Sequence, residues 1–251
     1  MIQTFVGAEV YLPGKIAETT VTVDGGTIVE IGGPVQGLEI DAHGKILAPA
    51  LIDVHGDAFE RQMMPRPGVF FPMETAVLET DRQLAANGIA TTYHSITLSY
   101  EPGLRSVDRA REMMQAILDL APRLTVENRF QLRWETFAFE ALDTLDWAMD
   151  APLKPSLAFN DHLSMAMRSA ETVMQERPFE HSPDFKVMDP SDAALFEKRY
   201  RKHTERSGLD YDVHKALVHK VWDRRPDVVQ TMKVVAEKAR AKGRFQDTLG
   251  G

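Results

Sequence analysis

Three groups of residues in this 251-residue chain could do chemistry, and each stands at the end of a run that reads as a β-strand. His55-Gly56-Asp57 follows the apolar run Ile46 to Val54. Residues at i and i+2 of a strand point the same way, so one imidazole and one carboxylate there can converge on a single cation. Glu135 closes the β-like run Gln131-Leu132-Arg133-Trp134-Glu135, and Asp161-His162 follows Ser156-Leu157-Ala158-Phe159-Asn160. Hard and borderline ligands at three strand C-termini match the way (β/α) enzymes assemble active sites. Plainer roles stand beside this one. A lone His-x-Asp serves equally at a surface or as a cap, and Glu135 could be solvated or pair with Arg133. Asp161 is also a preferred N-cap for a helix starting near Leu163.

The elements that must position these groups read in two textures. Residues 1–45 form short β-runs, Phe5 to Leu12, Thr19 to Val23 and Thr27 to Ile31, separated by Pro13-Gly14, Asp24-Gly25-Gly26 and Gly32-Gly33-Pro34. This predicts a small β-sandwich-like module held by tight turns. From residue 46 to 251 helices alternate with β-rich runs, the grammar of an α/β fold. Helices are predicted at Met73 to Asn87, Arg105 to Leu120, Ala138 to Met149, Ser191 to Ser207, Val213 to Trp222 and Asp227 to Lys242. Barrel-type strands are predicted at Ile46 to Val54, Ile89 to Thr97, Phe130 to Phe137 and Ser156 to Asn160. A closed eight-stranded barrel takes about 250 residues by itself. Four strands and a helical insertion near 164–225 therefore predict a partial TIM-like (β/α) barrel, with Arg177 to Pro190 as an excursion.

Composition narrows the function. Lys plus Arg of 29 against Asp plus Glu of 37 gives a net charge of −8, which argues against a nucleic-acid partner and leaves an anionic substrate in need of a local cation. The absence of Cys excludes disulfides, thiolate ligands and cysteine nucleophiles. The longest apolar stretch, Ile46 to Ile52, is far short of the roughly 20 residues of a membrane helix, and Met1-Ile2-Gln3-Thr4-Phe5 lacks the features of an export signal. The expectation is a cytoplasmic chain without a membrane partner.

The run Leu47-Ala48-Pro49-Ala50-Leu51-Ile52-Asp53-Val54-His55-Gly56-Asp57, after a β module, resembles the N-terminal part of the amidohydrolase superfamily. Within it, Met64-Pro65-Arg66-Pro67-Gly68-Val69, Phe71-Pro72, Ala86-Asn87-Gly88-Ile89-Ala90-Thr91-Thr92, Leu132-Arg133-Trp134-Glu135 and Asn160-Asp161-His162 are similar to the ribose 1-methylphosphonate 5-triphosphate diphosphatase branch of phosphonate degradation. The resemblance covers residues 1 to about 165. It implies a metal-dependent hydrolase with two divalent ions, zinc, manganese or iron: His55 and Asp57 hold one, Glu135 is shared, and His162 holds the second. It also implies a phosphorylated small-molecule substrate bound by Arg66, with Arg61 as a second choice. Cleavage of a cyclic amide, deamination, and a non-catalytic relative stay open.

Three departures bear on this. Gly56 stands where the branch has a hydroxyl residue, and Leu163-Ser164-Met165-Ala166-Met167-Arg168 replaces a Pro-Gly-Gln-Arg-Gln run. The family's Ser-His-Asp-Asp strand and its later catalytic Asp have no counterpart before Gly251, so no catalytic residue of that kind is expected here. The expectation is an N-terminal portion with weak activity or none, whose open sheet edge a second copy of the chain could cover. Among the other histidines, His43 reads as a turn residue and His94 as a core or barrel-facing group. His181, His203, His214 and His219 read as solvated. Met113, Met114, Ile117 and Leu120 have the spacing of a helix face packed on the sheet.

Overall fold

The computed structural model describes residues 1–153, 155–176, 178–244 and 246–247, with backbone alone at 202, 206, 246 and 247. Arg177 and most of the residues after Arg244 lie outside the described residues. Two compact units are present, Met1–Leu51 and Ile52–Gly251.

In the first unit, β1 (Ile2–Leu12), β2 (Lys15–Asp24) and β3 (Thr27–Ile31) form an antiparallel meander. β4 (Leu38–Asp41) and β5 (Ile46–Leu47) pair in parallel with β1. A small core of Ala8, Val10, Val21 and Ala42 holds the sheet. The β1–β2 register slips between Phe5 and Ala8, where Gly7 adopts φ 75°. A Cβ at Gly7 would overlap the His43 ring, so the positive φ and the missing side chain together let the imidazole lie against the strand. His43 is thus a packing residue of the turn, with Nδ1 2.6 Å from Asp41.

The second unit begins with β6 (Leu51–Gly56), followed by α1 (Ala58–Met63), α2 (Met73–Ala86), β7 (Ile89–Leu98), α3 (Val107–Leu120), β8 (Glu127–Glu135), α4 (Leu142–Met149) and β9 (Ser156–Asn160). Then come α5 (His162–Ala166), α6 (Ala193–Ser207), α7 (Tyr211–Trp222), α8 (Arg225–Ala241) and β10 (Gln246–Asp247). The strands stand side by side in chain order, β6-β7-β8-β9-β10, and the pairings β7–β8, β8–β9 and β9–β10 are parallel. The fold is α/β, a partial TIM-like (β/α) barrel with a small N-terminal β module.

The predicted strand Ile46 to Val54 is two strands: Ile46–Leu47 joins the first sheet and Leu51–Gly56 the second. Pro49 lies in the break, where its missing N–H cannot enter a ladder. α3 starts at the Ser106 cap, whose hydroxyl accepts from the Arg109 N–H, and buries Met113, Met114, Ile117 and Leu120. These four side chains pack with Val77 of α2, Leu145 of α4 and Leu132 and Trp134 of β8. A second core joins Phe137, Leu163 and Met167 to Phe196, Tyr200, Val218, Val221 and Val228 of α6, α7 and α8.

β8 carries the feature that matters for function. Phe130, Leu132 and Trp134 alternate with Gln131, Arg133 and Glu135, so one face of the parallel sheet is apolar and the other polar. The register extends the polar rows across the sheet as Ser95–Gln131–Ser156, Thr97–Arg133–Ala158 and Glu135–Asn160. All of these residues are buried. Parallel sheets normally bury apolar side chains on both faces, so a buried polar face is kept for a reason other than packing.

Candidate active site

Glu135 ends β8 and His162 opens α5 immediately after β9, so the parallel register places them at adjacent strand C-termini. His162 Nδ1 lies 2.5 Å from one carboxylate oxygen of Glu135, and the His162 backbone N–H donates to the other at 3.2 Å. Glu135 is 5% exposed while the His162 side chain is 49% exposed, so the pair has a buried anchor and an open end. The hydrogen bond and the negative charge of Glu135 raise the His162 pKa above 6.5, against burial and the cations of Arg133 and Arg105. With Nδ1 held by the carboxylate, Nε2 is the nitrogen left to exchange a proton.

Asp161 does cap α5, its carboxylate accepting from the Ser164 N–H at 2.7 Å. Its second oxygen lies 3.0 Å from His181 Nε2, and both side chains are nearly inaccessible, at 5% and 6%. His181 is therefore not solvated as predicted; the excursion folds it back on the strand end, between the rings of Phe137 and Phe179. Arg225, at the start of α8, donates to Ser164 Oγ and, at 2.6 Å, to the Glu180 carbonyl. With Trp222, Asp223, Pro226 and Val229 these residues line a cleft of ≈ 570 Å³. His214 is also fully buried, with Thr204 Oγ1 at 2.7 Å on one ring nitrogen and Glu101 at 3.0 Å on the other. Its predicted solvation is corrected for the same reason: the partners are distant in sequence. His94 is a satisfied core residue, 2% exposed, with Nε2 2.6 Å from Asn128 and Phe59 against its ring.

His55 lies near the end of the edge strand β6, and Asp57 follows it. His55 is exposed, its N–H donating to Asp53 at 3.0 Å, and Asp57 precedes α1 without capping it. Glu60 of α1 forms a two-pronged ion pair with Arg105, at 2.8 and 3.0 Å. Glu60 first, then the charges of Asp57 and Glu135, hold Arg105 firmly protonated, which makes Arg105 the cation shared by the two strand ends. Arg61 and Arg66 are exposed and make no side-chain contact among the described residues. Among the described residues no three His or carboxylate groups cluster closely enough to hold a metal ion. The structure joins Glu135 and His162 by hydrogen bonds, and among the described residues no hydrogen bond or ion pair links His55 or Asp57 to them. In kind, the four donors suit a divalent cation.

Buried polar atoms without partners include both amide atoms of Asn160, in register with Glu135, together with Thr97 Oγ1 and Thr136 Oγ1. Polar groups shut away in this manner normally have a hydrogen-bond partner. Arg105, Arg133 and Asn160 are the residues that sequence reasoning missed as site members. The period-two alternation of β8 was the signal that could have found Arg133.

No family profile matches the chain. Over 99 residues it is 29% identical to alpha-D-ribose 1-methylphosphonate 5-triphosphate diphosphatase of Escherichia coli (strain K12), which is 38% of this chain and 26% of that protein. The chain thus spans about a quarter of the length of the curated relative it matches. Solved structures with a similar trace include dihydropyrimidinase from Brevibacillus agri, at 20% identity and TM-score 0.41 over 63% of this chain and 32% of that one. Another is N-acyl-D-glutamate deacylase from Bordetella bronchiseptica, at 15% identity and TM-score 0.42 over 98% of this chain and 57% of that one.

Proposed function

We propose that this chain carries the opening part of a hydrolase site of the amidohydrolase superfamily that acts on ribose 1-methylphosphonate 5-triphosphate, releasing diphosphate and leaving the 5-phosphate. The observation that supports it is the Glu135–His162 pair at two adjacent strand C-termini, in a chain that shares a 99-residue stretch with a diphosphatase. Glu135 fixes the imidazole and leaves His162 Nε2 free to bind a cation, and as the oxygen of the attacking water bonds to the phosphorus nearest the ribose, its proton leaves to solvent. The anhydride P–O bond breaks, and diphosphate departs. Arg105 and the loop arginines Arg66 and Arg61 are the cations available to the phosphates. His55, Asp57, Glu135 and His162 are the residues that would hold divalent metal. Such an ion supplies a polarised phosphoryl oxygen and a water of lowered pKa.

The test is diphosphate release from the triphosphate by the purified chain supplied with manganese or zinc. Slow release above background that disappears in E135Q and in H162A is the expected result. No release by the wild-type chain, release unchanged in both variants, or turnover of a hydantoin in preference to the triphosphate would overturn the reading.

A further inference from the structure

The polar face of the sheet holds a guanidinium with nothing to bind. Arg133 is 8% exposed, yet among the described residues it has no hydrogen bond and no ion pair. Its row neighbours are Thr97 on β7 and Ala158 on β9. Thr97 offers an unpartnered buried hydroxyl. One row further along, Asn160 is 1% exposed with its amide nitrogen and oxygen both unpartnered, and Thr136 adds a second unpartnered hydroxyl. Burying a carboxamide or a hydroxyl without partners is unfavourable, and native chains retain such groups where something else completes them.

We propose that Arg133, Asn160 and Thr97 form a receptor for a phosphoryl group, the guanidinium fork taking two non-bridging oxygens and the carboxamide and hydroxyl donating to the rest. The donor set points to an oxyanion because three of its four kinds of polar group donate, and the fork geometry of Arg matches paired oxygens. Glu135 stands in register with Asn160 on the same face and would repel an anion, but its charge is engaged by His162. The receptor lies next to the Glu135–His162 pair, where a substrate's phosphates must reach to be cleaved. The identity of the whole substrate rests on the hydrolase reading above; the existence of the receptor does not.

The test uses the chain in the presence of EDTA, with inorganic diphosphate as the probe and malonate at equal ionic strength as the carboxylate control. Binding is followed by calorimetry and by thermal unfolding. Diphosphate is expected to bind and to raise the melting temperature, while R133M weakens binding at least about tenfold and R133K weakens it less, since Lys keeps the charge and loses the fork. Without ligand, R133M is expected to unfold in one cooperative transition near the wild-type melting temperature, which shows that the variant is folded and that the loss of binding is local. Absence of diphosphate binding, binding unchanged in R133M, or protection by malonate equal to that by diphosphate would overturn the proposal. None of these readings depends on turnover or on a metal, so failure here leaves the hydrolase reading to its own test.

Discussion

Glu135 receives two hydrogen bonds from a single residue, one from the ring and one from the backbone of His162. A raised imidazole pKa contributes stability that is fully present below about 6.5 and is lost as pH rises through the folded-state value. E135Q is therefore expected to cost more stability at pH 6 than at pH 9. The difference stays under about 1 kcal/mol because the His162 side chain is half in solvent. NMR titration of the His162 ring checks the cause: its pKa should fall toward 6.5 in E135Q, and an unchanged value would mean the pair does not form in solution.

His94 has the opposite sign. Burial, opposed by its hydrogen bond to Asn128, lowers its pKa below 6.5. The unfolded chain takes up a proton near pH 6.5 that the folded chain refuses, so stability falls as pH drops below that point, by at most about 1.4 kcal/mol per pH unit. Urea unfolding between pH 5 and 7 should show this slope in wild type and a flatter one in H94N.

Gly56, between His55 and Asp57, has no room for a side chain. A Cβ there would lie 2.8 Å from both Thr92 Oγ1 and Asp53 Oδ2. G56A is expected to lose about 1–3 kcal/mol of stability and to shift the end of β6. Chemical denaturation measures it, and a neutral G56A would show that the strand end yields freely.

Asp161 holds α5 and His181 at once. D161A removes both contacts and is expected to cost about 2 kcal/mol, while D161N keeps a capping oxygen and should recover most of the cap contribution. Thermal unfolding of the two variants separates the cap from the imidazole contact.

The barrel strands were legible because each is a short apolar or β-branched run bounded by turns, and β6, β7, β8 and β9 stand in one sheet. The break at Ala48-Pro49-Ala50 was hidden inside an apolar run that looks continuous until the two sheets divide it. α1 escaped notice because only Phe59 and Met63 of its six residues are buried, too few to display a helical period. The burial of His181 and His214 could not be read locally. Their surroundings in sequence are polar, and their partners Asp161 and Glu101 are 20 and 113 residues away. Arg133 read as a partner for Glu135; the structure instead gives Glu135 to His162 and leaves the guanidinium free.

The most direct test of the site as a whole is its metal content after purification with added manganese or zinc, in wild type and in E135Q/H162A. Glu135 and His162 are bonded to each other, so an incoming ion must displace that contact and the proton it holds, and uptake should strengthen as pH rises. The expected result is close to one equivalent or more in wild type and a clear loss in the double variant. Retention below about 0.2 equivalents in wild type, or equal retention in both proteins, would contradict the assignment of these strand ends as the hydrolytic centre.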